Sequence, residues 1–237
     1  MNNINNMNNM NITILLTCTC RVQDNITWLV QRNSSLRRDM YVINIKKWLK
    51  NTDFNIVVVE NSGYKFNELN KYVSDRFEII SFDYSEIDKD DQKKLKKMRS
   101  KGQHEVYSIN YAYNKSKIIK KTEYLFKLTG RYFIPNFISI LKKHNYKKYD
   151  YIVQHDADQT VLNTYDGDLL PIGPPKRCEL VGCQISMAEK LFGFPLNNDH
   201  MEIEMYNRLS NLSILVLPKM MLDKSTIQGG GYKMYYL

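Results

Sequence analysis

The stretch YLFKLTGRYFIPNF, from Tyr124 to Phe137, combines three kinds of local structure in a short span. Its first six residues form an apolar run typical of a buried strand, a Thr-Gly-Arg triplet follows, and a helix start comes next. A strand that leads through a turn into a helix is a common way to present a phosphate-binding site. Arg131 suits that role because its guanidinium can hold phosphate oxygens bidentately, which a lysine cannot do. The stretch therefore predicts a strand, a phosphate-facing turn and a helix.

The rest of the chain repeats the alternation of strand and helix. Short apolar runs predict strands at ITILLTC, NIVVVEN, FEIISFD, YDYIVQH, CELVGCQI and LSILVLP. Periodic segments predict helices at RRDMYVINIKKWLKN, GQHEVYSINYAYNKS, NFISILKKH, SMAEKLFGF and DHMEIEMYNRLSN, and DGDLLPIGPPKR predicts a loop. Fully apolar strands that alternate with helices indicate βαβ units and a mostly parallel sheet covered on both faces.

The 237 residues, 43% of them hydrophobic, are enough for one sizeable globular domain. Residues 1–11 form an Asn- and Met-rich tail with too little apolar surface to order itself, so the predicted domain spans residues 12–237. No run approaches roughly 18 apolar residues, and the amino terminus lacks the features of a signal peptide. We therefore expect a cytoplasmic protein without a transmembrane segment.

The formal net charge of +9 favours polyanionic partners, such as nucleic acid, a membrane surface or nucleotide phosphates. Much of the positive charge lies in residues 93–101, 115–121 and 142–148, each beside a predicted helix. Such runs are equally typical of solvated helix faces. The four cysteines lie in two pairs within apolar, strand-like segments and have no paired histidines, so they predict buried thiols in preference to a zinc site.

Polar side chains follow four of the predicted strands. In an open α/β sheet, ligands collect at the carboxyl ends of the parallel strands. Hydroxyl, amide, carboxylate and guanidinium groups at these ends suit a base, a ribose and a diphosphate, although each residue alone is ordinary turn chemistry. These residues are Thr17, Cys18, Thr19, Cys20 and Arg21; Glu60, Asn61 and Ser62; Asp83 and Tyr84; and Thr129, Gly130 and Arg131.

The segment SKGQHE offers a second contact for phosphate. Gly102 would let the backbone approach a ligand closely, and Lys101 and the helix amino terminus favour anions. Glu105, one turn further on, can accept hydrogen bonds from ribose hydroxyls or interact with the helix dipole.

The order of TCTCR, VVEN, KGQHE and YLFKLTGRYFIPNFISIL resembles small glycosyltransferases of the GT-A, nucleotide-diphospho-sugar transferase type, over about residues 12–237. The resemblance implies a Rossmann-like, single-domain fold and transfer of a sugar from a nucleotide-diphosphate donor to a glycan or other hydroxyl acceptor. The Asn- and Lys-rich composition is similar to that of large DNA viruses, in which case the location would be the host cytoplasm. The residues expected to bind the donor are Thr17, Arg21, Glu60, Asn61, Lys101, Gly102, Glu105, Lys127, Thr129 and Gly130.

The resemblance leaves the metal open. Many members of the family carry Asp-x-Asp after the fourth strand to hold Mn²⁺ or Mg²⁺, whereas this chain has Thr-Gly-Arg there. Arg131 can offset the charge of the leaving diphosphate without a metal, and we favour this alternative. Asp156 and Asp158, after the fifth predicted strand, form a literal Asp-x-Asp that could hold Mn²⁺ or Mg²⁺ instead.

An inverting transfer needs a base, because the acceptor hydroxyl loses its proton as it attacks. Glu202 and Glu204 are the main candidates; on a helix they point about 200° apart, so only one can face the cleft. Acidic residues in the first turn of a helix can instead interact favourably with the helix dipole, with Asp199 as the N-cap. His155 and Asp156 are lesser candidates.

Two other classes of function stay open. A nucleotidyltransferase of related fold normally carries a Gly-rich basic loop after its first strand, and TCTCRVQDN contains no glycine. A nonenzymatic nucleic-acid-binding protein would explain the charge, but its base contacts would lie on an exposed aromatic and basic face. Because the basic runs accompany a parallel α/β pattern, we expect no nucleic-acid partner.

Overall fold

A computed structural model describes residues 11–24, 26, 31–98, 100–154, 161–165, 168–171, 178–197, 200–209 and 212–223. Its centre is a seven-stranded sheet in the order β3-β2-β1-β4-β8-β5-β9. A separate pair, β6 and β7, forms a small second sheet. The strands are β1 Ile12–Cys18, β2 Asn55–Glu60, β3 Phe77–Ser81, β4 Tyr124–Thr129, β5 Tyr151–Val153, β6 Val161–Tyr165, β7 Asp168–Pro171, β8 Leu180–Gln184 and β9 Ile214–Val216.

One strand of the large sheet runs against the others. β1 pairs in parallel with β2 and β4, β2 with β3, and β5 with β9. β8 lies between β4 and β5 and is antiparallel to both. The prediction of a mixed, mostly parallel sheet is therefore confirmed.

Helices cover both faces of this sheet, as predicted. Alternate residues of β1 point to opposite faces, so Ile14 and Leu16 join one core, which includes Trp48, while Leu15 joins the other, which includes Val106. Every residue of β1 is buried, which explains why its sequence is apolar except for Thr13 and Thr17. The helices are α1 Ser34–Asn51, α2 Lys89–Lys97, α3 Lys101–Lys115, α4 Phe137–Lys143, α5 Ala188–Phe192 and α6 Met201–Arg208.

The sequence did not predict helix α2, which overlaps the first basic run at residues 93–97. It contains one buried residue, Leu95, and therefore gives almost no apolar periodicity. Its start is fixed by the N-cap residue Asp88, whose carboxylate accepts hydrogen bonds from the backbone N–H groups of Asp90 and Asp91.

The predicted loop at DGDLLPIGPPKR is wrong in part. Residues Asp168–Pro171 form β7, which pairs antiparallel with β6. Pro171 is tolerated because it occupies the last position of an edge strand. Of the predicted tail, Asn11 is described, and its carbonyl accepts a 2.9 Å hydrogen bond from the N–H of Glu123. Among the described residues, no helix is both long and apolar enough to cross a bilayer.

Candidate active site

A cavity of about 140 Å³ opens at the carboxyl ends of β1, β2 and β4. The strand register brings these ends level, since Thr17 is opposite Thr129 and Cys18 is opposite Glu60. The N–H of Gly130 donates a 2.9 Å hydrogen bond to the carbonyl of Thr17, which joins the ends of β1 and β4. The predicted residues that line the cavity are Thr17, Arg21, Asn61, Lys101, Glu105, Thr129, Arg131 and Glu202.

The other predicted site residues lie elsewhere. Glu60, Gly102, Lys127, Gly130 and Glu204 are not part of the cavity wall. Asp156, Asp158 and His155 lie outside the described residues, so their roles as metal ligands or base stay predictions.

Arg131 is the most unusual side chain of the cavity. It is 9% exposed, and its Nε and Nη1 atoms are buried without a hydrogen-bond partner among the described residues. Burial acts to lower the pKa of Arg131, but nearby Tyr41, Tyr132 and Glu179 outweigh it, and the pKa is raised. A buried guanidinium with unused donors is a site to which an anion can bind.

Arg37, the second buried arginine of the cavity, differs from Arg131 because its donors have partners within the protein. The Nε of Arg37 donates to the carbonyl of Thr19 at 2.6 Å, and its two terminal nitrogens donate to the carbonyl of Gln31 at 3.1 Å and to Oη of Tyr41 at 2.8 Å. Its donors are therefore used to hold the loop that follows β1 against α1. Arg37 supports the cavity wall, whereas Arg131 has donors left for a ligand.

Glu105 joins two strands at the cavity floor. Its Oε1 accepts a 2.6 Å hydrogen bond from Oγ1 of Thr17 and lies 2.9 Å from Nζ of Lys127. Burial acts to raise the pKa of Glu105, but the charge of Lys127 and the hydrogen bonds from Thr17 and Lys127 outweigh it, so the pKa is lowered. Glu105 is therefore an ionised carboxylate in a fixed position.

Lys127 is completely buried and does not reach the cavity. Besides Glu105, its ammonium contacts the carbonyl oxygen of Cys178. The structure thus gives Lys127 an internal partner for its charge, and its predicted contact with a donor would be indirect.

Glu60 is likewise fully buried. Its carboxylate accepts hydrogen bonds from the N–H groups of Cys20 at 2.9 Å, Ser62 at 2.9 Å and Tyr64 at 2.8 Å, and from the hydroxyl of Ser62. The sequence predicted its position at the end of β2 but not the direction of its side chain. Glu60 fixes the two loops that form the cavity wall.

Three backbone donors at the start of the loop after β1 are occupied. The N–H of Thr19 donates to Oη of Tyr41 at 3.3 Å, that of Cys20 to Glu60, and that of Arg21 to Oγ of Ser62 at 2.9 Å. Three successive amides are thus satisfied by side chains of the protein itself.

The two predicted glycines allow close packing within the protein. A Cβ atom on Gly102 would lie 2.8 Å from Cβ of Met201, so this glycine lets α3 pack against the start of α6. A Cβ on Gly130 would lie 2.5 Å from Sγ of Cys18. The space beside Gly102, where we expected the protein backbone to approach a ligand, contains Met201 at the start of α6.

Glu202 and Glu204 face different surroundings, as their helical spacing requires. Glu202 lines the cavity. Glu204 is 3% exposed, and its Oε1 accepts hydrogen bonds from Nε of Arg208 at 2.9 Å and Nδ2 of Asn197 at 3.2 Å. The N-cap of α6 is His200, and Asp199 lies outside the described residues.

Sequence reasoning missed Glu179 and His104, which also line the cavity. The carbonyl of Glu179 accepts a 2.9 Å hydrogen bond from the N–H of Thr129, because β8 runs antiparallel beside β4 and begins where β4 ends. Only knowledge of that strand direction could have indicated Glu179. His104 lies within the predicted helix segment, one residue before Glu105.

His104 is fixed by two contacts. Oη of Tyr84 lies 2.7 Å from Nδ1 of His104, and Nε2 lies 3.1 Å from the carbonyl of Met98. Because a carbonyl only accepts hydrogen bonds, Nε2 carries the proton and Nδ1 accepts from the tyrosine. Burial lowers the pKa of His104, which favours this neutral form.

No group of three or more histidine, cysteine, aspartate and glutamate side chains that could hold a metal occurs within the described part of the chain. All four cysteines are buried and free, and burial raises the pKa of each thiol. They are therefore protonated at neutral pH.

No family model matches the sequence, and no curated protein matches it. Among solved structures, a candidate nucleotide-diphospho-sugar transferase of Desulfovibrio desulfuricans G20 is similar, with a TM-score of 0.47, 12% identity and coverage of 89% of this chain and 80% of that one. For 4-diphosphocytidyl-2C-methyl-D-erythritolsynthase of Anaerococcus prevotii DSM 20548, the TM-score is 0.45, the identity 12%, and the coverages 92% and 89%. For the bifunctional IspDF of Campylobacter jejuni, the TM-score is 0.44 and the identity 13%, with coverage of 95% of this chain and 52% of that one. This chain therefore spans about half of that protein.

Proposed function

We propose that this protein is a glycosyltransferase that moves a sugar from a nucleoside-diphosphate donor to a hydroxyl group of a glycan or other acceptor. The observation that carries the proposal is Arg131, whose buried Nε and Nη1 atoms lack partners among the described residues while its side chain lines the cavity. A buried cation with unused donors is costly unless a ligand completes it. A diphosphate supplies both the negative charge and the acceptor oxygens.

The remaining wall suits the nucleoside and its phosphates. Lys101 begins α3, whose N-cap Ser100 accepts a 3.2 Å hydrogen bond from the N–H of Gly102. The positive end of that helix and the lysine both favour phosphate oxygens. Thr129 adds a hydroxyl group that can bind a base or a ribose. The amide of Asn61 already bonds to the hydroxyls of Thr19 and Ser108, so it can add only its remaining hydrogen-bonding capacity.

In the proposed reaction, an acceptor oxygen attacks the anomeric carbon of the sugar and the bond from that carbon to the diphosphate breaks. Arg131 stabilises the negative charge that develops on the leaving diphosphate. If the configuration inverts, Glu202 takes the proton of the acceptor hydroxyl, since it lines the cavity and Glu204 does not. Mn²⁺ or Mg²⁺ at Asp156 and Asp158 is the alternative means of stabilising the diphosphate.

A nucleotidyltransferase is the main competitor. In that reaction the substrate attacks the innermost phosphorus of a nucleoside triphosphate and pyrophosphate leaves. A triphosphate is commonly held by free backbone amides in a loop. The amides of Thr19, Cys20 and Arg21 already donate to protein side chains, and this observation favours the glycosyltransferase.

The test is a thermal-shift series with UDP-, GDP-, CMP- and dTDP-sugars and with the four nucleoside triphosphates, each with Mn²⁺ and with EDTA. A ligand present at a concentration of 100 times its dissociation constant stabilises a protein by about 2.7 kcal/mol. We expect one class of nucleoside-diphosphate sugar to stabilise the wild type but not Arg131→Met. The control is Arg38→Met, which removes an exposed arginine paired with Asp39.

The outcomes separate the alternatives. A shift that survives EDTA supports the role of Arg131, and one that requires Mn²⁺ moves diphosphate binding to Asp156 and Asp158. Stabilisation by triphosphates alone, with release of pyrophosphate on turnover, favours the nucleotidyltransferase. Absence of any shift rejects a donor site in this cavity.

A further inference from the structure

A second concave surface adjoins the cavity. It is an open groove of about 710 Å³, and one wall of it is formed by Lys89, Lys93 and Lys96 of α2. Gln23 and Tyr84 line both the groove and the cavity, so the two spaces meet at these residues. We call this surface the basic groove.

The charge of the basic groove is almost uncompensated. No carboxylate lines it among the described residues. Lys93 lies 3.2 Å from Asp90, but both side chains are about three-quarters exposed, and such surface pairs contribute little. Neither Lys89 nor Lys96 belongs to an ion pair within the described residues.

The acidic residues close to the groove have other partners. Asp88 caps α2, and Asp91 pairs with Lys94 at 3.2 Å. Asp83 accepts hydrogen bonds from the N–H and hydroxyl of Ser85, at 2.9 and 2.7 Å, and Glu86 accepts one from the N–H of Asp83 at 3.0 Å. These carboxylates keep their charge, but none of them lines the groove among the described residues, where the charged side chains are Lys89, Lys93 and Lys96.

The junction with the cavity is held in a fixed geometry. Oη of Tyr84 donates to Nδ1 of His104, and the ring of Tyr84 packs edge-on against Phe82 with a centroid distance of 6.0 Å. A ligand that lies along α2 therefore reaches the cavity at Gln23 and Tyr84, the two residues that line both spaces.

We infer that the basic groove binds the acceptor, and that the acceptor is a glycan bearing phosphate or carboxylate groups. The inference rests on the proposed function, because an acceptor hydroxyl must reach the donor sugar and the groove opens onto that site. Ammonium groups on one wall attract anionic substituents. Among the described residues of the groove, Tyr84 alone is aromatic, so the described wall offers a nucleic acid a single ring on which a base could stack.

The test compares two double variants of the whole chain. Lys89→Gln/Lys96→Gln removes two charges from the groove, and Lys94→Gln/Lys97→Gln removes two charges from the same helix outside it. The probes are neutral mannopentaose, mannopentaose phosphate and pentagalacturonate, with affinities measured by isothermal titration calorimetry. The two charged probes distinguish a phosphate-bearing from a carboxylate-bearing acceptor.

We expect the wild type to bind one charged probe more tightly than mannopentaose. The groove variant should lose roughly tenfold in affinity for that probe, and the control variant less than about twofold. Equal losses in both variants, or no preference for a charged probe, would overturn the inference. A twelve-residue oligothymidylate that binds more tightly than either charged probe, with the same dependence on Lys89 and Lys96, would overturn it in favour of nucleic acid.

Donor affinity is measured on the same variants to keep the two proposals apart. Unchanged binding of the nucleotide sugar, together with weakened binding of the charged probe in the groove variant, supports the acceptor role. If no nucleotide sugar binds even the wild type, the proposed function fails, and with it the acceptor role of the groove, whatever the charged probes show.

Discussion

The Nζ atom of Lys127 lies 2.9 Å from Oε1 of Glu105, and the lysine is completely buried at the centre of the sheet. We expect Lys127→Met to lower the free energy of unfolding by about 2–4 kcal/mol, because it leaves the carboxylate of Glu105 without its cation. Urea denaturation measures the change. The double variant Lys127→Met/Glu105→Gln should recover more than half of the loss; a purely additive result would contradict coupling between the two residues.

The same carboxylate should make stability depend on pH. The pKa of Glu105 is lowered from its ordinary value of 4.5 in the folded protein. Its contribution is therefore fully present above that ordinary pKa and is lost as the pH falls through the folded-state pKa. Between pH 6 and about pH 3, the wild type should lose more stability than Glu105→Gln; parallel stability curves for the two proteins would exclude this effect.

Arg131→Met should separate stability from binding. The Nε and Nη1 atoms of Arg131, which lack partners among the described residues, cost stability, whereas the groups that raise its pKa favour its charge, so we expect the free energy of unfolding to stay within about 1 kcal/mol of the wild type. Donor binding should be lost at the same time. A destabilisation of more than about 2 kcal/mol would indicate a structural role for the guanidinium.

Substitution of the two glutamates of α6 should have different effects: at Glu202 on the reaction rate, and at Glu204 on stability. If the proposed transfer inverts the configuration, Glu202→Gln is expected to reduce its kcat by about 10²–10⁴, with little change in stability. Glu204→Gln should cost about 1–3 kcal/mol of stability, since it weakens a buried ion pair with Arg208, while the folded variant keeps the kcat of the proposed reaction. Steady-state kinetics and thermal unfolding of both variants test this; similar kinetic defects would reject the assignment.

A substitution at Gly182 would test how closely β8 packs against β4. Gly182 lies opposite Phe126, and a Cβ atom at this position would lie 2.5 Å from Cδ1 of that ring. Gly182→Ala should therefore destabilise the protein by about 1–3 kcal/mol. In the variant Phe126→Leu, the smaller side chain should leave room for the added methyl group, so Gly182→Ala should cost less stability there than in the wild type. A double-mutant cycle in urea would detect this as a non-additive change in the free energy of unfolding.

The sequence predicted the strands around the cavity correctly because a strand covered by helices on both faces is mainly apolar, as β1 and β2 are apart from two threonines in β1 and the two end residues of β2. The same uniformity hid the direction of β8, since a buried antiparallel strand has the same composition. Glu179 was missed for that reason.

The directions of side chains at the strand ends also could not be predicted from the sequence. Glu60 and Asn61 are neighbours at the end of β2, yet Asn61 lines the cavity and Glu60 binds the loop amides behind it. That difference depends on the path of the following loop, which no local pattern encodes. Helix α2 was missed because its stability comes from an N-cap and surface charges, with Leu95 its one buried residue.

The position of β8 between β4 and β5 has a consequence for synthesis of the chain. A ribosome releases β4 long before β8, so the growing polypeptide carries an unpaired strand edge until Leu180 can join Leu128. Pairings between such distant segments slow folding, and the exposed edge invites association with other chains. A polypeptide that stops short of β8 is therefore expected to accumulate as aggregates, which sedimentation after expression would reveal.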